Sequence, residues 1–200
     1  MDIDIRGKSF AGKAVLGAIR LTVGPGERVA ILGPSGIGKT TFLRIVAGLD
    51  RDFAGEIAGT GKTTVVFQEP TLLPWRTALD NITVTTGVEA AQARTLLGEV
   101  GLAQKEALYP RQLSLGQQRR LALARAFAPQ PDTLLLDEPF VSLDAETAGR
   151  MLDLTEALLD RAGASLIFVT HVPAEAARLK ARTLTLQGSP ATLHGPKPGA

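Results

Sequence analysis

Gly33-Pro34-Ser35-Gly36-Ile37-Gly38-Lys39-Thr40 is the stretch on which the fold turns. It fits G-x-x-x-x-G-K-[ST], a pattern whose meaning depends on what flanks it. Before it, Val29-Ala30-Ile31-Leu32 is a short apolar run of the kind a strand covered on both faces shows. After it, Phe42, Leu43 and Val46 fall on one helical face, and Gly48 stands where a C-terminal cap belongs. Strand, glycine-rich loop and helix in that order predict a phosphate cradle. Glycines let successive N–H groups turn inward, and the helix N-terminus adds positive potential. Gly33, Pro34, Ser35, Gly36, Ile37 and Gly38 form the predicted loop, and Lys39, Thr40 and Thr41 open the helix. Lys39 supplies a mobile full charge for β and γ phosphates, and the Thr40 hydroxyl is a ligand for Mg²⁺. Gly61-Lys62-Thr63 imitates the motif, but Glu56 stands five positions before Gly61 and a strand, not a helix, follows. That copy reads as a hairpin turn.

Further apolar runs occur at Val65-Val66-Phe67, Leu134-Leu135-Leu136 and Leu166-Ile167-Phe168-Val169, with an alternating strand from Leu184 to Leu186. Near the start, Ile3 and Ile5, then Ile19, Leu21 and Val23, alternate as half-buried strands do. Helical spacing appears at Ala93, Leu96, Leu97 and Val100, again at Ala148, Met151, Leu154 and Leu158, and after Pro173. Buried strands alternating with helices predict an α/β fold with a mostly parallel sheet. The stretch of about 70–128 has helical patterns and no buried strand, so it reads as an inserted α-helical subdomain. The expected organisation is one domain over 1–190, its core at about 1–69 and 129–187. Residues 188–200, rich in Pro and Gly, are expected to be a flexible tail.

The 200 residues carry 22 basic and 20 acidic side chains, a net charge of +2, without a long basic run. Nucleic acid is therefore not an expected partner. No apolar run reaches the length of about 20 residues that a bilayer demands. The first ten residues lack a charged-then-apolar secretory pattern, so a cytoplasmic location is expected. There is no cysteine, which excludes disulfides and thiolate metal sites.

Asp137 and Glu138 follow Leu134-Leu135-Leu136, at the C-terminal end of a buried strand, the edge where open α/β sheets hold ligands. Asp137 is placed for the Mg²⁺ shell, and Glu138 for polarising the water that attacks a γ-phosphate. Each could also be a polar turn closed by Pro139. His171 follows Val169-Thr170, and Gln68 follows Val65-Val66-Phe67. A histidine so placed is often only a satisfied hydrogen-bonder. Three strand ends and one phosphate loop nevertheless aim polar groups at one sheet edge.

Leu113-Ser114-Leu115-Gly116-Gln117, leading into a basic helix, completes the set. Together these motifs, in this order, resemble the nucleotide-binding subunit of ATP-binding cassette transporters over about residues 1–190. The resemblance implies a P-loop NTPase (RecA-like) core with an N-terminal antiparallel β subdomain, ATP as the nucleotide, Mg²⁺ as its metal, and ATP hydrolysis coupled to transport. It implies that Phe10 stacks on adenine, and that Gln68 touches Mg²⁺ and relays contact with the membrane subunit. It makes Lys39, Gln68, Glu138 and His171 the catalytic set, and Thr40, Gln68 and Asp137 the metal set. Ser142-Leu143-Asp144 matches the family's D-loop. It also implies a head-to-tail dimer, in which Ser114, Gly116 and Gln117 of one copy complete the ATP site of a second copy. The family usually has glycine where Leu115 stands here; the side chain either crowds the approach to the γ-phosphate or points away.

Phe67-Gln68-Glu69-Pro70, then Leu72-Leu73-Pro74-Trp75 and Asp80-Asn81, resembles the bacterial importers for nitrate, sulfonate and taurine, with thiamine-precursor systems close behind. The resemblance implies an integral membrane permease as partner, a solute-binding protein indirectly, and a peripheral position on the cytoplasmic face of the bacterial inner membrane. Trp75 serves either that contact or the insertion's own core. Two other readings stand beside this one: a non-transport cassette ATPase, and a P-loop small-molecule kinase, for which the Leu113–Gln117 loop has no use.

Overall fold

The computed structural model describes residues 1–195. In chain order its elements are β1 (Asp2–Phe10), β2 (Lys13–Leu16), β3 (Ile19–Thr22), β4 (Arg28–Leu32), α1 (Lys39–Val46), β5 (Ala54–Ala58) and β6 (Thr63–Val66). There follow α2 (Ala78–Thr86), α3 (Ala90–Glu99), α4 (Leu115–Phe127), β7 (Thr133–Asp137), α5 (Ala145–Ala162), β8 (Ser165–Thr170), α6 (Pro173–Arg178), β9 (Arg182–Gly188) and β10 (Ala191–His194). The chain divides into two compact units: Met1–Val65, Asp132–Glu138 and Gly163–Ala200 make the first, and Val66–Pro131 with Pro139–Ala162 the second.

The first unit is built on a sheet ordered β3-β1-β2-β10-β9-β4-β8-β7-β6, with β5 paired to β1. Its centre is parallel: β4 lies between β8 and β9, and β8 continues to β7. Every residue of β7 and β8 is buried, as the unbroken apolar runs demand. The antiparallel part pairs β1 with β2, β3 and β5, and it alternates. Ile3 and Ile5 face the core between exposed or half-exposed neighbours. Ile31, Phe42, Leu43, Leu135, Ile167 and Leu186 belong to one apolar cluster that joins α1 to the sheet. Burying such side chains is worth roughly 1.5–3 kcal/mol each, so the cluster fixes where the end of β4 delivers the chain.

Two expectations change. Gly61-Lys62-Thr63 is a turn but closes no hairpin: β5 pairs with β1 and β6 lies beside β7, so the strands on either side of it diverge. The expected flexible tail at 188–200 is overturned over its first part, because Ala191–His194 forms β10, antiparallel to β9 and joined to β2 at Leu16. Ala191 is buried and its carbonyl accepts the Gly17 N–H at 2.8 Å. Gly188 (φ 94°) supplies the left-handed turn that folds the chain back; the Pro and Gly content marked that turn rather than a loose end. The rest of the expected tail, 196–200, lies outside the described residues.

The second unit is helical. α2 packs on α3 and α4, and α4 also packs on α3 and α5. Its buried side chains include Ile82, Leu97, Leu121, Phe127, Met151 and Leu158. Among the described residues no helix is long and apolar enough to cross a membrane.

Candidate functional site

The glycine-rich loop follows β4 directly, and its backbone shape explains its glycines. Gly36 and Gly38 have φ of 77° and 111°, the region that favours glycine. At Gly33 a Cβ would come within 2.9 Å of the Leu186 carbonyl oxygen, so only hydrogen fits. α1 starts at Lys39 with Gly38 as its cap and no side chain on its first N–H groups, which leaves those donors for an anion.

Lys39 is buried, and its ammonium donates to the carbonyls of Gly33 (2.9 Å) and Pro34 (3.0 Å). It also pairs with Glu138 Oε1 at 3.0 Å. The other carboxylate oxygen of Glu138 lies 3.1 Å from His171 Nδ1. An ionised carboxylate only accepts, so this contact assigns the Nδ1 proton to His171. Glu138 stands in left-handed backbone (φ 45°), uncommon for a side-chain-bearing residue and typical of groups held for a task. Its N–H donates to the Val169 carbonyl at 3.0 Å, which ties the turn after β7 to the end of β8.

Asp137, the last residue of β7, is buried and accepts the Thr40 hydroxyl at 3.2 Å. Burial pushes its carboxyl above the ordinary range, the Glu138 charge adds to this, and the Thr40 hydrogen bond with the Lys39 charge opposes it. Lys39, Thr40, Asp137, Glu138 and His171 therefore meet at the C-terminal edge of the parallel strands. Phe10 closes β1 in the same unit, half exposed.

Gln68 sits two residues past β6, at the start of the second unit. Ser114, Gly116, Gln117 and Asp144 also belong to that unit, where a cavity of about 840 Å³ gathers all four of them. Ser114 caps α4: its Oγ accepts the Gln117 N–H at 3.3 Å, and Gln117 Oε1 accepts the Ser114 N–H at 3.0 Å. A Cβ on Gly116 would touch only Thr147, at 3.6 Å, so nothing within this unit requires glycine there. Leu115 is exposed and lines the same cavity. Asp144 caps α5 by accepting the Thr147 N–H at 2.9 Å, and hydrogen bonds from Thr147 hold its carboxyl below the ordinary range.

Two residues to which the sequence reading gave no role of their own shape the loop after Gln68. Asn81, fully buried, accepts the Leu73 N–H and donates to the carbonyls of Leu73, Arg76 and Thr77, all within 3.1 Å. Arg125, near the end of α4, donates to the carbonyls of Pro70 and Thr71 at 3.0 and 2.9 Å. Between these two anchors Trp75 is 68% exposed, so it does not serve the insertion's core. The only hint was Asn81 in the Asp80-Asn81 pair; nothing in the spacing marks Arg125.

A glycine-rich loop opening a helix, a buried lysine, and an acid pair at the end of the adjoining strands define a nucleoside-triphosphate hydrolase of the phosphate-loop class. A family model described as ABC transporter matches residues 16–141, more than half of the chain. The chain belongs to the ABC transporter family, as one of its ATP-binding, ATP-hydrolysing subunits. Among its relatives is the aliphatic sulfonates import ATP-binding protein SsuB 1 of Rhodococcus jostii, 47% identical over 186 residues that cover 90% of this chain and 76% of the relative. Another is SsuB 2 of Pseudomonas syringae pv. tomato, 43% identical, covering 96% of this chain and 84% of the relative. Among solved structures, a dimeric post-hydrolysis state of the ATP-binding cassette MJ0796 bound to ADP and Pi superposes with a TM-score of 0.80, at 26% identity and 96% coverage of both chains.

Proposed function

We propose that this chain powers the import of a small organic anion of the sulfonate class, by hydrolysing MgATP between two copies of itself that sit on a membrane permease. The observation that carries the enzymatic half is the position of Glu138, within 3.0 Å of Lys39 and 3.1 Å of His171. The phosphate-binding cation, the acid and the imidazole are thus already in one hydrogen-bonded line.

Triphosphate in the loop offers Lys39 oxygens of greater charge than the Gly33 and Pro34 carbonyls. The ammonium turns to them and releases Glu138. The freed carboxylate then accepts a proton from the attacking water, while His171, donating from Nδ1, holds it in place. Thr40 and Asp137 fit Mg²⁺: both offer hard oxygen, and the buried carboxylate otherwise has only a hydroxyl donor against it. When bound, Mg²⁺ neutralises charge on the β and γ oxygens.

Gly116 supports the two-copy reading. Its space is not demanded by its own unit, and glycine there leaves the N–H beside the Ser114 hydroxyl open to a second copy's γ-phosphate. Gln68, next to the Trp75 loop, takes the role of relaying nucleotide state to the permease. The position follows: peripheral, on the cytoplasmic face of the inner membrane, with a solute-binding protein engaged only through the permease. The sulfonate reading rests on the named relatives and on the Phe67–Ile82 run.

Reconstitution of the chain with its permease in vesicles tests the whole reading. Sulfonate inside-directed uptake that requires ATP and disappears with Glu138→Gln is expected. Uptake of nitrate but not of alkanesulfonates would replace the solute, and robust ATP hydrolysis by a chain held monomeric would end the two-copy scheme.

A further inference from the structure

Lys8 and Phe10 stand two apart on β1, so both side chains leave the same face of the strand. Phe10 is half exposed, whereas Lys8 is 3% exposed, and its ammonium lies 4.5 Å from the centroid of the Phe10 ring. A lysine buried this deeply needs a reason, because desolvating an ammonium is costly unless it is paired. Here the pairing comes from the segment just after α1. Lys8 Nζ donates to Asp50 Oδ1 at 2.9 Å, to the Asp52 carbonyl, and to Asp52 Oδ2 at 3.3 Å. Hydrogen bonding to Asp50 raises the lysine's pKa, so the ammonium stays charged. Asp50 is itself held, its N–H donating to the Arg44 carbonyl in the last turn of α1.

These contacts form one chain of support. The helix whose first turn completes the phosphate cradle leads into the segment whose carboxylates fix Lys8, and Lys8 presses its charge against one face of Phe10. The ring's other face is the part left to a ligand. A cation on one side draws π density toward itself and leaves the opposite face poorer in electrons, which favours stacking with an electron-rich base.

We propose that Lys8 is a positioning residue for the base: it fixes the plane of Phe10 and tunes its free face toward adenine. The proposal rests on the reading that Phe10 stacks on the nucleotide base. It adds that base recognition and phosphate recognition are braced against each other through α1 and Asp50.

Calorimetric titration of the full chain with ATP and with inorganic tripolyphosphate tests it. Lys8→Met keeps the stem and removes the charge. ATP binding should weaken about three- to tenfold, the range a desolvated cation–π contact spans, while tripolyphosphate affinity stays put. Lys8→Arg should restore most of the loss. In the Phe10→Ala background, Lys8→Met should cost nothing further. If Lys8→Met alone leaves Asp50 unpaired and the protein does not fold, Lys8→Met with Asp50→Asn removes both charges and should show the same selective loss. Equal losses for ATP and tripolyphosphate would make Lys8 merely structural and overturn the proposal. So would unchanged ATP affinity beside a weakened Phe10→Ala. A Phe10→Ala protein that binds ATP as the parent does would instead overturn the stacking reading beneath it.

Discussion

Lys39 and Glu138, the cation meant for phosphate and the acid meant for water, are bonded to each other at 3.0 Å. Each therefore occupies the other. On the proposed reading ATP breaks this pair as it binds, so part of its binding energy is consumed in arming the acid. Glu138→Gln removes the charge and keeps the shape. It should bind ATP more tightly than the parent, because Lys39 is released more easily, and should turn over slower by roughly 10²-fold or more. Titration and phosphate release measure the two effects. An affinity that falls with the rate would contradict the pairing argument. On a sizing column with MgATP, the same variant should elute as a dimer.

Lys39→Ala should abolish ATP binding in the same titration. The backbone cradle remains, but the one full charge in it is gone, and Glu138 is left beside the loop to repel phosphate. Undiminished affinity would refute the assignment of the loop.

Asp137 makes a prediction about pH. Its raised pKa means that the folded state holds the proton more tightly than the unfolded state does. Stability of the nucleotide-free protein is therefore lost as pH rises from the ordinary carboxylate value of 3.8 through the raised one. At neutral pH the ionised Asp137 is a cost to the fold. Asp137→Asn should raise the melting temperature without nucleotide at pH 7, narrow the gap between parent and variant as pH falls, and erase the extra stabilisation by MgATP. A variant that melts lower at pH 7 would show that the Thr40 contact outweighs burial.

Leu115 is exposed beside Ser114 in the cavity where a second copy's phosphate is proposed to enter. Leu115→Gly should leave steady-state ATPase activity equal or higher. Ser114→Ala removes a helix cap worth about 1 kcal/mol and should also lower activity, by weakening the dimer. A collapse of activity in Leu115→Gly would mean that the leucine packs against the partner copy.

Asn81→Ala should destabilise the second unit by about 1–3 kcal/mol, since it strips a buried N–H and several carbonyls of their partners at once. Denaturant unfolding reads the loss. Trp75 fluorescence reports on the loop directly, and an unchanged spectrum would argue that Arg125 alone suffices to hold it.

The sequence was most informative where one short segment carries its own physics. The loop at Gly33–Thr40 and the acid pair after β7 were legible because glycine, charge and apolar run must sit at fixed offsets. β10 was misread because its anchor is a long-range one: Ala191 is paired with Gly188 and with Leu16, and nothing near it in the sequence signals the latter. The Gly61 turn was recognised, yet its strands were joined wrongly, since local turn chemistry does not say which partner a strand will choose. Asn81 and Arg125 escaped for the same reason. Their importance lies in carbonyls 4 to 55 residues away, which become visible only when α2 and α4 are in place.

α4 begins at the Ser114 cap and reaches, at Arg125, the carbonyls of Pro70 and Thr71. It is thus a stiff strut about 20 Å long at the usual helical rise, with one end at Ser114 and Gly116 and the other gripping the loop that bears Trp75. A tilt imposed at the capped end would therefore be carried along the helix to the Arg125 guanidinium, and through it to the loop that bears Trp75.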